Sequence, residues 1–183
     1  MKIVDIFAVV NESLFSVQYE GEGIHEFRRL LTLWNDIQYL RSFLKENSKD
    51  LETDFWGEIS VRQAVLNIRR DASNLERKLI ELAKEGLTNK YETLSQMFKP
   101  LDDLSTGQGD FENHKSYGIS RPSMIRLYAT RLDNNRFVIS GGAIKLCKGM
   151  EREHLQNELR KLQITREFCR ENYDLATGYF EIS

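Results

Sequence analysis

The stretch Ile125-Arg126-Leu127-Tyr128-Ala129-Thr130-Arg131-Leu132-Asp133-Asn134-Asn135-Arg136-Phe137-Val138-Ile139-Ser140-Gly141-Gly142-Ala143-Ile144-Lys145 decides the reading of the fold. Its first arm alternates, so that Ile125, Leu127 and Ala129 project to one face of a strand and Arg126, Tyr128 and Thr130 to the other. One buried and one polar face are expected. Asp133-Asn134-Asn135 tolerates turn conformations, and Arg136 to Ser140 resumes the β-rich pattern, which predicts a hairpin. Gly141-Gly142 permits a bulge or sharp bend before Ala143 to Cys147 continue the sheet.

Working outward, Glu151 to about Asn172 reads as a charged helix with a weak stripe of Leu155, Leu159, Leu162 and Phe168. The tail from Tyr173 adds at most a short strand near Tyr179-Phe180. At the other end, residues 2–10 and 13–20 are rich in Val, Ile, Phe and Tyr around the turn-capable Asn11-Glu12, so a second hairpin is predicted. In its second arm Leu14, Ser16 and Gln18 face one way, and Phe15, Val17 and Tyr19 the other.

Between the hairpins, Phe27, Leu30, Leu31, Trp34, Ile37, Leu40, Phe43 and Leu44 recur at three- and four-residue steps, predicting one helix over 24–47. Ser60 followed by Gln63 is a capping-box signal. The helix it opens carries Ala64, Val65, Ile68, Ala72, Leu75, Leu79 and Leu82 on one stripe and ends at Gly86. Residues 87–104 predict a short helix closed by Pro100. Residues 105–122, with several glycines and Pro122, read as a surface loop. The expectation is one α+β domain over residues 1–183: a small antiparallel sheet, two long helices in the first half and a C-terminal helix.

With 183 residues, 40% of them hydrophobic, the chain can bury a core without disulfides or a structural metal. No apolar run approaches the roughly 18 to 20 residues of a spanning helix, so no membrane role is expected. Met1 to Val10 carries Asp5 and no small-residue cleavage pattern, and reads as a strand rather than a signal peptide. Cys147 and Cys169 offer neither CxxC spacing nor a disulfide framework, pointing to reduced thiols in the cytoplasm.

The net charge of −2 conceals an asymmetry. Residues 1–120 carry 15 basic and 20 acidic side chains, whereas residues 121–183 carry 11 and 8. Such a basic block suits a phosphate backbone. Phosphate-cradling glycine motifs, zinc-ligand clusters and the GxSxG elbow are all missing from the sequence, so no metal and no cofactor is expected. Cleaving RNA without a metal requires cations for the pentacovalent phosphate and a group that moves protons. Arg126, Arg131, Lys145, Lys148 and Arg152 are candidate cations, and His154 is the residue of the block whose ordinary pKa lies near neutrality.

The order of elements, with Phe98-Lys99-Pro100-Leu101, the strand Ile125-Arg126-Leu127-Tyr128, the hairpin arm Arg136-Phe137-Val138-Ile139, Gly142-Ala143-Ile144-Lys145 and a charged helix, resembles the RelE/ParE toxin superfamily. Its HigB-like, phage-derived branch is the nearer match, over roughly residues 94–170. Leu146 stands where the family pattern has a second lysine, and the Thr-Pro that opens the family's last helix is absent. The resemblance implies a messenger-RNA endoribonuclease, acting on the ribosome or on free RNA and neutralised by an antitoxin protein. It places Arg126 and Lys145 at the scissile phosphate. Lys148, Arg152, Arg131 and His154 join them by proximity within the block. Two other readings stay open: a non-catalytic protein-interaction module, and a ParE-like gyrase inhibitor.

Overall fold

The computed structural model describes residues 1–101 and 109–181. The main strands are Ile3–Val10 (β1), Leu14–Tyr19 (β2), Lys99–Pro100 (β3), Asn113–Tyr117 (β4), Ile125–Arg131 (β5) and Phe137–Ile144 (β6). They form one sheet in the order β1-β2-β6-β5-β4-β3. The helices are Glu26–Asn35 (α1), Ile37–Glu46 (α2), Ser48–Leu51 (α3), Val61–Glu85 (α4) and Glu153–Asn172 (α5). A small hairpin of Tyr173–Asp174 (β7) and Tyr179–Phe180 (β8) follows α5. The class is α+β, as the sequence implies.

The sheet is mixed rather than antiparallel. Leu14, Phe15 and Ser16 of β2 run parallel to Phe137, Val138 and Ile139 of β6. Parallel neighbours need a long crossover, and the helical first half supplies it. The expected hairpin of β5 and β6 is present, and its register jumps between Tyr128 and Ala129. Tyr128 faces Gly141 and Ala129 faces Ile139, so Ser140 is the extra residue, one position before the glycines where a bulge was expected.

Three other expectations change. The helix read over 24–47 breaks at Asp36, whose carboxylate accepts from the backbone N–H groups of Gln38 at 2.8 Å and Tyr39 at 3.1 Å and so caps α2. Trp34 and Leu40 stay on the core side of the break, so the apolar stripe hides it. The proline-closed helix is a 3-10 turn over Leu94–Gln96, after which Lys99 and Pro100 join the sheet edge, where a proline costs no ladder bond. The supposed loop contains β4, a polar strand that buries His114 and Ser116; residues 102–108 lie outside the described part.

Helices cover both faces of the sheet. Leu30, Trp34, Leu40, Leu44, Ile68, Leu75 and Leu79 pack with Ile125, Leu127, Ala129 and Ile139 on one side. On the other, Leu155 and Leu162 of α5 cover Tyr128 and Ala143. The face of β5 expected to be polar is therefore largely buried, with Tyr128 only 2% exposed and its hydroxyl pushed up to about 12 by that burial. Ser60 caps α4 as expected, accepting from Gln63 N at 3.1 Å, while the Gln63 side chain turns to Asn67. Among the described residues no helix is long and apolar enough to cross a membrane.

Candidate functional site

Strand β5 enters the sheet at the end where β6 leaves it, so Arg126 and Lys145 start out as neighbours. Lys145 N donates to Met124 O at 2.7 Å and carries the pairing one residue past β6. Arg126 points its Nη1 at Ser123 O and Ile125 O, both at 2.8 Å, and its guanidinium lies 4.1 Å over the Tyr117 ring. It is held before any ligand arrives. Lys145 Nζ donates to Lys148 O at 2.9 Å, which folds the segment after β6 into a cationic turn.

Arg126, Lys145 and Lys148 line one hollow of about 580 Å³ together with Trp56, Phe55 and Asp50. Trp56 is buried and ties the α3–α4 connection to the end of β6 by donating its indole N–H to Leu146 O at 2.8 Å. The electrostatics favour an anion. Burial holds the Arg126 guanidinium below its ordinary value. Burial also lowers the Lys145 ammonium, and nearby Arg126 and Lys115 lower it further, against a smaller opposing pull from Cys147. A bound phosphate would reverse both effects, because an opposite charge favours the protonated cation.

The remaining candidates lie elsewhere or are already paired. Arg152 reaches the rim of the hollow, but its Nη2 sits 3.0 Å from both carboxylate oxygens of Asp50. His154, in the first turn of α5, lines a separate small cleft with Phe43, Trp34 and Glu158. Its Nε2 is 3.1 Å from Ile144 O, and a carbonyl only accepts, so that nitrogen carries the proton and donates it. Arg131 stands at the far end of β5, roughly 17 Å from Arg126 at about 3.4 Å per residue. There it donates to Gly109 O and the Asn134 side chain. Three of the six candidates thus share the hollow, one is ion-paired at its rim and two are away from it.

Sequence reasoning missed what the rest of the chain brings to the site. Asp50, Phe55 and Trp56 come from a polar connection with no pattern of its own. Lys115 and Tyr117 belong to β4, which the sequence disguised as a loop. A second surface was also hidden: α2 and α4 enclose a groove of about 430 Å³ lined by Ile37, Arg41, Lys45, Arg62, Leu66 and Arg69. Its cations sit in the acidic half of the chain, where a count of charges masks them.

A different cluster occupies the gap where β2 and β6 stop pairing. Glu26, at 1% exposure, receives Arg29 Nε at 2.7 Å and Lys161 Nζ at 3.0 Å, and Lys161 also meets Glu158 at 3.1 Å. Tyr19 donates its hydroxyl to Ser140 O at 2.8 Å, and burial pushes that hydroxyl well above its ordinary value. Burial raises the Glu158 carboxyl too, with Glu26 adding to the rise and Lys161 opposing it. Gly141 leaves the space that the Glu158 carboxylate fills; a Cβ there would collide with it. Among the described residues no group of three or more His, Cys, Asp or Glu is arranged to hold a metal ion.

Comparison with known proteins yields no match to any family model, any curated protein or any solved structure.

Proposed function

We propose that this protein is a toxin of the RelE/ParE type, of the HigB-like branch, which binds a messenger-RNA phosphodiester in the Arg126–Lys145–Lys148 hollow and cleaves it without a metal. The observation that carries the reading is the convergence of these three cations, none of them in an ion pair with an acidic side chain among the described residues. Arg126 and Lys148 face the nonbridging oxygens, stabilising the charge that develops on the pentacovalent phosphate. Lys145, oriented by its bond to Lys148 O, adds a third positive charge at the phosphate, and solvent accepts the 2′-hydroxyl proton. The 2′-oxygen then attacks phosphorus and the 5′-oxygen departs, protonated by solvent, leaving a 2′,3′-cyclic phosphate. His154 has no part in this scheme, since its Nε2–H is spent on Ile144 O.

Induction in bacteria without an antitoxin tests the reading. Wild-type protein should arrest growth and cut messenger RNA, and Arg126→Ala or Lys145→Ala should lower cleavage by about 100-fold or more, in the range of a lost donor to the developing phosphate charge. His154→Ala should cost less than about tenfold. Harmless wild-type expression, or arrest that survives Arg126→Ala with Lys145→Ala, overturns it.

The α2–α4 groove favours a second reading, a protein-interaction module without catalysis. Ile37 is 46% and Leu66 50% exposed beside Arg41, Lys45, Arg62 and Arg69, and Arg69 Nε is buried without a hydrogen-bond partner. An acidic amphipathic helix would satisfy such a groove. Stable co-purification with one acidic partner, without RNA cleavage by the separated protein, would select this reading.

A further inference from the structure

We propose that the hollow is one end of a longer single-stranded RNA track, which continues from Arg126 past Tyr117 to Lys115 and Lys99 at the β3 edge of the sheet. The proposal rests on the reading of the hollow as a phosphate site. Its own support is the register. Tyr117 lies opposite Arg126, Lys115 opposite Tyr128, and Lys99 opposite Lys115, so all of them share the face that Arg126 presents. Helix α5 covers Tyr128 and Ala143 on that face, but Lys115 and Tyr117 are only partly buried and Lys99 is exposed.

Two lysines directly opposite each other across an antiparallel pair repel and weaken the sheet. Nothing among the described residues relieves that repulsion, since neither Lys99 nor Lys115 makes an ion pair or a side-chain hydrogen bond there. Tyr117 adds a second feature. Arg126 lies over its ring at 4.1 Å and Arg121 at 5.4 Å, and Arg121 is further fixed by donating to Gly118 O and Ser120 O. An exposed guanidinium fixed as a plane is a surface on which an unpaired base stacks. Crossing from β6 to β3 takes three strand spacings, roughly 14 Å. Cations with an interleaved stacking surface along such a line are the chemistry of single-strand binding, and a duplex would keep its bases out of reach.

The test uses the full chain and uncleavable 2′-O-methyl RNA, so that binding is read apart from cleavage. A dinucleotide, followed by NMR titration, probes the hollow; an octamer, followed by fluorescence anisotropy, probes the hollow and the track. The octamer should bind at least tenfold more tightly. Lys99→Glu should weaken the octamer about tenfold, leave the dinucleotide unchanged and raise the thermal midpoint, because it converts the repelling pair with Lys115 into an attracting one. Lys99→Ala with Lys115→Ala should lower the slope of log affinity against log salt by about 1.4. Octamer binding that ignores these substitutions while the dinucleotide still binds overturns the track and leaves the hollow standing. Failure of both RNAs on the wild-type protein overturns both. A duplex that competes equally, or polyglutamate that binds where the octamer does not, also overturns it.

Discussion

Two groups of charged side chains lie along the second half of β6 and just past its end, and they differ in what answers them. Glu26, Arg29, Lys161 and Glu158 are mostly buried and face one another, each charge within 3.1 Å of an opposite one. Arg126 and Lys145 stand only partly covered and their side chains donate to backbone carbonyls, not to acids, while Lys148 is exposed. A buried charge without a partner is strongly unfavourable, so the first group is a closed structural unit. A carbonyl orients a cation without neutralising it, so the second group keeps its charge for something outside the chain. Proximity of charges distinguishes nothing here; the identity of the partners does.

The sharpest way to break this contrast is Lys161→Met. It leaves Glu26 with Arg29 alone and Glu158 with no cation in contact, and the expected loss is about 3–5 kcal/mol, measured by urea denaturation at neutral pH. The loss should shrink on acidification. Burial already raises the folded-state value of Glu158, so the native chain holds its proton more tightly than the unfolded one. The associated stability is fully present below the unfolded value and is lost as pH rises through the folded value. Removing Lys161 pushes the folded value higher still. A deficit that does not depend on pH would mean that the cluster is held by packing and not by charge.

The hollow should respond with a smaller change in stability and a larger change in binding. Arg126→Ala removes two hydrogen bonds to carbonyls and the stack on Tyr117, for a loss of about 1–3 kcal/mol. Lys145→Ala removes one partly exposed bond and should stay within about 1 kcal/mol. Both should abolish RNA binding in the hollow. A Lys145→Ala protein as unstable as Lys161→Met would place Lys145 among the structural charges and dissolve the contrast.

Much of this was legible in the chain before any coordinates. The β5–β6 hairpin declares itself because alternation and a turn of Asp133-Asn134-Asn135 are local signals, and α4 does so through Ser60 and a long stripe. The junction of β2 with β6 leaves no such mark, because Leu14 and Phe137 pair across the whole helical segment of the chain and no local pattern joins them. The break at Asp36 is invisible to a periodicity that survives it, and β4 is invisible because its buried residues, His114 and Ser116, are polar. The site divides the same way. Arg126, Lys145 and Lys148 are close in a small hairpin and could be grouped by sequence, whereas Arg131 belongs to the same hairpin but to its opposite end. His154 stands out in the sequence by residue type alone, and a carbonyl ten residues back decides its use.

Arg152 is the finest test of the contrast, because it sits between the two behaviours. Its side chain is 51% exposed and its partner Asp50 21%, so breaking the pair should cost no more than about 1 kcal/mol. The effect on RNA should still be visible, since Arg152→Ala frees a carboxylate within the lining of the hollow, while Asp50→Asn frees a guanidinium at its rim. Octamer affinity should therefore fall a few-fold in the first and rise a few-fold in the second. The double variant separates two roles for the arginine. If Arg152 serves only to neutralise Asp50, removing both returns affinity to about the wild-type level; if it touches phosphate itself, the double variant stays as weak as Arg152→Ala, and Arg152 moves from the paired group to the open one.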